Sequence, residues 1–173
     1  MALINKVLPG YVATLWCQDD ANPTPLTDAQ LSTWASIEAI IGTSAGGTGA
    51  AGIQVPVEAI PAFGADDAVA AFSVAGARTG AKITTQNQVT SLSITSAWNP
   101  ADTAQLLIRD DGYNGTIVRT YVIAVYDGTD TVAYAFNGMV GGMSWDMSPS
   151  AEGKFNFTIH PIGGNSYGWS NNA

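Results

Sequence analysis

One stretch constrains this chain more than any other. Read with a period of two, Thr116 to Tyr126 puts Tyr121, Ile123 and Val125 on one face and Val122, Ala124 and Tyr126 on the other. A strand that is apolar on both faces has to be covered on both sides, so the chain must build layers around it. Asp127-Gly128-Thr129-Asp130 predicts a tight hairpin turn. The return strand then alternates Val132, Tyr134 and Phe136 with Ala133 and Ala135. Near the end, Phe155, Phe157 and Ile159 point one way and Lys154, Asn156, Thr158 and His160 the other, which is the cleanest strand pattern in the sequence.

The remaining elements are read around that pair. Tyr11 to Cys17, rich in β-branched and aromatic residues, predicts a first strand that ends at the proline-punctuated loop 18–25. Thr27 with Gln30 three residues on matches a capping box, and Leu31, Trp34 and Ala35 share one face of the short helix it predicts. Residues 37–41 fit helix or strand equally. Ile53 to Ile60 is a strand broken by Pro56, as at an edge or a bulge. Leu92, Ile94, Ser96 and Trp98 give another alternating strand. Asn99-Pro100 then predicts a helix over 101–110, with Ala104, Leu107 and Ile108 on its inner face and Gly112 as its end. Residues 42–52 and 61–88 are expected to be flexible and irregular, 139–149 to be a glycine- and methionine-rich connection, and 163–173 to be a polar tail on which Tyr167 and Trp169 can still dock. The 173 residues thus predict a single mainly β domain with its regular core at about 89–162. The fold class is an antiparallel β-sandwich or partly closed barrel with one flanking α-helix and long loops.

Charge narrows the function classes. Charged residues are only 12% of the chain, about half the usual share. Either the surface is buried against other copies, or it is covered by Ser, Thr, Asn and Gly. The net charge is −8, and Lys6, Arg78, Lys82, Arg109, Arg119 and Lys154 are scattered, which argues against a nucleic-acid grip. Residues 1–10 lack an apolar run of signal-peptide length, and no segment approaches a membrane span. With Cys17 as the only cysteine, no internal disulfide forms, and synthesis in a reducing cytoplasm is expected.

The chemistry of an active site is hard to assemble. His160 is the sole histidine, beside Pro161 on the polar face of a strand end, where a solvated histidine is the ordinary reading. Two-histidine zinc sites are excluded by count. Asp110-Asp111 and Asp127/Asp130 sit in glycine-containing turns, where aspartate serves local hydrogen bonding. Thr43 to Gly52 is glycine-rich without the Gly-Lys-Ser/Thr of a phosphate cradle. No catalytic, cofactor-binding or metal-ligating residue is assigned, no cofactor is expected, and the chain is read as a non-enzyme.

From Ser93 to Gly164 the order of elements is distinctive. A strand ends in Ala97-Trp98-Asn99-Pro100 and leads into a helix. A strand pair closes on Phe136-Asn137-Gly138, and Gly153-Lys154-Phe155-Asn156-Phe157-Thr158-Ile159-His160-Pro161-Ile162-Gly163-Gly164 finishes it. This resembles the tail tube (major tail) proteins of long-tailed, non-contractile bacteriophages, over about 70 residues, with 61–88 falling where that family carries a long variable loop. The resemblance implies a virion structural protein, made in the host bacterial cytoplasm. Its homohexameric rings would stack into the hollow tube through which DNA is ejected without specific binding. The implied partners are other copies of itself and other tail proteins at the tube ends, with no membrane. It also implies a use for the acidic excess, an inner wall that repels phosphates, with Asp110, Asp111, Asp127 and Asp130 as candidates for it. Two other readings stand beside it: a β-sandwich binding module, either a phage decoration or a carbohydrate-binding domain using Trp145 and Trp169, and the tube protein of a contractile injection machine.

Overall fold

The computed structural model describes residues 13–42, 51–72, 81–126, 130–162 and 167–171, with backbone alone for 65–88. Its strands are β1 (Ala13–Gln18), β2 (Gly52–Val55), β3 (Ala65–Phe72), β4 (Ala81–Val89), β5 (Leu92–Ala97), β6 (Arg119–Tyr126), β7 (Thr131–Asp146), β8 (Lys154–Pro161) and β9 (Tyr167–Asn171). Its helices are α1 (Asp28–Leu31), α2 (Trp34–Ile41) and α3 (Thr103–Asn114). Seven strands form one antiparallel sheet in the order β2-β1-β6-β7-β8-β5, with β9 also on β7, and β3-β4 form a separate two-stranded sheet. The mainly β, antiparallel class is as the sequence predicts. The large sheet is open and sandwich-like rather than closed, and it carries three helices rather than one.

The reason for the layering is β6. Residues Arg119 to Ala124 are all buried. Tyr121 and Ile123 join Leu15, Tyr134, Phe136, Phe155, Phe157, Ile159, Leu92 and Ile94 in one core cluster, which draws the β1-β6-β7 half against the β5-β8 half. Val122 and Ala124 face the other way, onto Trp16, Ala133 and Ala135 and beneath Leu31, Ile37, Ile40 and Ile41 of α1 and α2. Burying a side chain the size of Ile or Phe is worth about 1.5–3 kcal/mol, so both faces of β6 contribute. Gln30 Oε1 accepts from the Thr27 N–H at 2.9 Å, as the capping box requires. Residues 37–41 resolve as helix, with Ile37, Ile40 and Ile41 buried. Ala35, expected on the inner face, is exposed.

Several expectations are corrected. The glycine-rich connection at 139–149 is instead the second half of β7, a strand of 16 residues. It pairs with β6 and β9 in its first half and with β8 in its second, with a break in register between Gly141 and Ser144. Gly142 sits in that bulge at φ 58°, a left-handed conformation that favours glycine. The stretch 61–88, expected to be irregular, contains the hairpin of β3 and β4, paired from Ala65↔Val89 to Phe72↔Ala81. Its Ala, Thr and Gln content carries no clear period-two pattern, because backbone ladder bonds need none; residues 73–80 lie outside the described set. The tail at 163–173 includes β9, whose Tyr134↔Trp169 register shows how Trp169 docks. Helix α3 runs through Gly112, where a Cβ would collide with Met143, and ends at Gly115, left-handed at φ 65°. Its N-cap is Asp102, which accepts from the Gln105 N–H at 2.9 Å, rather than Asn99. The expected flexibility of 43–50 and the turn at 127–129 lie outside the described residues.

Candidate assembly surfaces

The groups weighed for chemistry are dispersed. His160 Nδ1 lies 3.2 Å from Ser91 Oγ on an exposed strand face. Asp110 is exposed and pairs with its neighbour Arg109 at 2.7 Å. Asp111 is only 4% exposed and forms a two-point ion pair with the fully buried Arg119, Nε to Oδ2 at 2.7 Å and the second guanidinium nitrogen to Oδ1 at 2.9 Å. Asp111 therefore cannot supply charge to a channel wall, which corrects its candidacy. Asp127 lies outside the described residues, and Asp130 is half-buried. Among the described residues, no group of three or more His, Cys, Asp or Glu side chains gathers as a metal site, and no helix is long and apolar enough to cross a membrane.

Arg119 does more than neutralise Asp111. Its remaining terminal nitrogen donates to the carbonyls of Gln18 at 2.6 Å and Asp20 at 2.7 Å. Burial opposes the guanidinium charge, but the hydrogen bond and charge of Asp111 outweigh it, so the pKa of Arg119 ends above its ordinary value. Cys17, next to this pair, is pushed up to about 12 by burial, with Arg119 pulling the other way.

A second anchor lies further along the same loop. Thr120 Oγ1 donates to Asn137 Oδ1 at 2.7 Å and accepts from the Leu26 N–H at 2.9 Å, while Asn137 Nδ2 donates to the Leu26 carbonyl at 2.7 Å. The Thr120 N–H donates to Gln18 Oε1, whose amide reaches the Thr24 carbonyl. A proline-rich surface loop is thus held at both ends by buried polar groups of β6 and β7. Sequence reasoning missed this network. The only signal was an arginine leading directly into an apolar run.

Three features could meet other molecules. The hairpin of β3 and β4 packs substantially on no other element of the chain, although an isolated two-stranded hairpin is marginal in water. Trp169 is 53% exposed, backed by Tyr134 at 4.9 Å and Phe63 at 6.0 Å between ring centroids. Trp145, by contrast, stacks on Phe155 at 5.1 Å and meets Trp98 edge-on, so Trp145 and Trp169 do not form one aromatic platform. The third feature is a cleft of about 360 Å3 between the 18–26 loop and α2.

These features define an open antiparallel sheet, covered on its inner strands, with a hairpin that its own core does not support. The chain matches no family model and no curated protein. Among solved structures, it is similar over 99% of its length to a chain from the sheath/tube terminator of the PVC extracellular contractile injection system in its extended state, with all of that chain covered, a TM-score of 0.62 and 9% identity. A chain of the tube-terminating cap of the anti-feeding prophage matches all of it, with 95% of that chain covered, a TM-score of 0.59 and 10% identity. A chain from the tail of the empty GTA particle, refined with C6 symmetry, matches 91% of it, with 96% of that chain covered, a TM-score of 0.54 and 10% identity. At these identities, what is shared is the fold.

Proposed function

We propose that this protein is a non-enzymatic structural subunit of a phage-tail-like particle, whose copies join into six-membered rings that stack into a hollow tube. The observation that carries this reading is the open seven-stranded sheet with its unsupported hairpin, in a fold shared end to end with chains of tails and injection particles. A sheet that does not close on itself, in a chain so poor in charge, gains stability by continuing into a neighbour. DNA passes through the bore without specific contacts, and other tail proteins meet the tube at its ends. The wall charge is supplied by exposed carboxylates such as Asp110, now without Asp111.

A second reading has its own support. Two of the whole-chain likenesses are to terminator and cap assemblies of contractile injection systems, which favours a single ring that closes a tube end, or a tube inside a sheath, over the non-contractile setting. Negative-stain microscopy of the concentrated protein separates these. Tubes of indefinite length support the tube subunit, and single rings support the terminator. Monomers at every concentration and salt would overturn both.

A further inference from the structure

We propose that the cleft between the 18–26 loop and α2 is a docking site for residues 73–82 of a second copy of this chain. The proposal rests on the ring reading and names the contact that holds neighbouring copies together. The cleft has an apolar floor of Leu26, Ala39, Ile40 and Ala51, with Asp19 and Asp20 on its rim. The rim is fixed in advance, because Arg119 holds the carbonyls of Gln18 and Asp20 while Asn137 and Thr120 hold Leu26. A pre-ordered site avoids the cost of ordering on binding.

Charge identifies the occupant. Arg109, Arg119 and Lys154 each pair with a carboxylate, respectively Asp110, Asp111 and Glu58. Neither Asp19 nor Asp20 is in an ion pair. The cations left over are Lys6, Arg78 and Lys82, and residues 73–82 (Ser-Val-Ala-Gly-Ala-Arg-Thr-Gly-Ala-Lys) hold two of them with no carboxylate. The register places this stretch at the far end of the hairpin. Lys82 is opposite Ala71, whereas the acidic positions Asp66 and Asp67 are opposite Gln88 and Asn87 at its base. A small-residue segment with two positive charges matches an apolar floor with an acidic rim. The hairpin that carries it is otherwise unsupported.

Two measurements test this. In the first, a synthetic peptide of residues 73–82 is titrated into the protein at low concentration. Amide shifts at Leu26, Ala39 and Ile40 are expected, with binding weakened at least tenfold in the Asp19→Asn/Asp20→Asn variant. In the second, Asp20→Cys is combined with Arg78→Cys and oxidised under assembly conditions. The buried Cys17 thiol stays out of the reaction. A ladder of disulfide-linked multimers on a denaturing gel is expected. Closure within one chain would overturn the second copy as occupant, and linking of Asp20→Cys to Lys6→Cys instead would give the cleft to the N-terminal segment. Particles that form normally while the peptide neither binds nor cross-links sink this inference and leave the ring reading intact. A bound peptide with no rings under any condition sinks the ring reading alone.

Discussion

Two antiparallel pairs in this molecule have nearly the same backbone. β6 and β7 pair from Arg119↔Gly138 to Tyr126↔Thr131, and β3 and β4 pair from Ala65↔Val89 to Phe72↔Ala81. The first pair is buried on one face by the β5-β8 half and on the other by α1 and α2. The second packs substantially on nothing else in its own chain. The contrast shows that ladder hydrogen bonds, which exchange water partners for protein partners at a small net gain, do not decide where stability resides. Coverage does. The β6-β7 pair belongs to the fold, and the β3-β4 pair belongs to whatever the fold joins.

The comparison breaks most visibly at Arg119. Arg119→Leu leaves the Asp111 carboxylate buried without a partner and releases the carbonyls of Gln18 and Asp20. A loss of about 3–5 kcal/mol is expected, read as a lower urea midpoint at unchanged slope. A loss below about 1 kcal/mol would mean that the ion pair does not hold the β6 end of the core.

Alkali tests the same region by another route. Burial raises the Cys17 pKa from 9.0 to about 12, so the folded state keeps a proton that the unfolded chain gives up. That stability is fully present below pH 9 and is lost as pH rises towards 12, at about 1.4 kcal/mol per pH unit for each proton retained. Tyr121 and Tyr134, also raised by burial, add to the slope above pH 10. Comparing stability against pH for the native chain and Cys17→Ala isolates the thiol. Identical slopes would show that Cys17 is open to solvent in solution.

The loop anchor gives a smaller effect. Asn137→Ala strips the Leu26 carbonyl and the Thr120 hydroxyl of a buried partner, with an expected cost of about 1–3 kcal/mol. Hydrogen exchange should quicken at Leu26 before the rest of the sheet. At the low end, deleting residues 66–79 removes most of β3 and the far end of the hairpin. The melting free energy should change by no more than about 0.5 kcal/mol, as for changes away from any buried feature, while particle formation is lost. A deletion chain that unfolds would place the hairpin within the core.

What the sequence made legible follows from the same contrast. Thr116 to Tyr126 and Lys154 to His160 announced themselves because burial on two faces or on one leaves a matching apolar pattern, and Phe155, Phe157 and Ile159 are buried as that pattern required. The hairpin stayed unread because its strands follow no such pattern. The second half of β7 stayed unread for a different reason. Gly138, Gly141 and Gly142 read as a connection, yet Gly138 and Gly141 hold ladder positions opposite Pro161 and Thr158, and Gly142 occupies the bulge. The anchored loop is the least legible part. Gln18 and Asp20 are held by Arg119 from about a hundred positions away, and a residue list shows such a pair only as a lone cation and a turn carboxylate.

The register of the first strand also matters before the fold exists. Thr14 bonds across the sheet to Ala124, 110 positions later. Ribosomes add about 5–20 residues per second, so β1 is made roughly 5–20 s before its inner neighbour can be. During that interval β2 can satisfy one side of β1, while the other side and the apolar surfaces of Leu15 and Trp16 stand open to any passing strand. Each newborn copy therefore passes through a stage at which it can pair wrongly with another nascent chain, and helper proteins that shield the first 60 or so residues (the span through β2) should raise the yield of soluble subunit more than any change in the finished core.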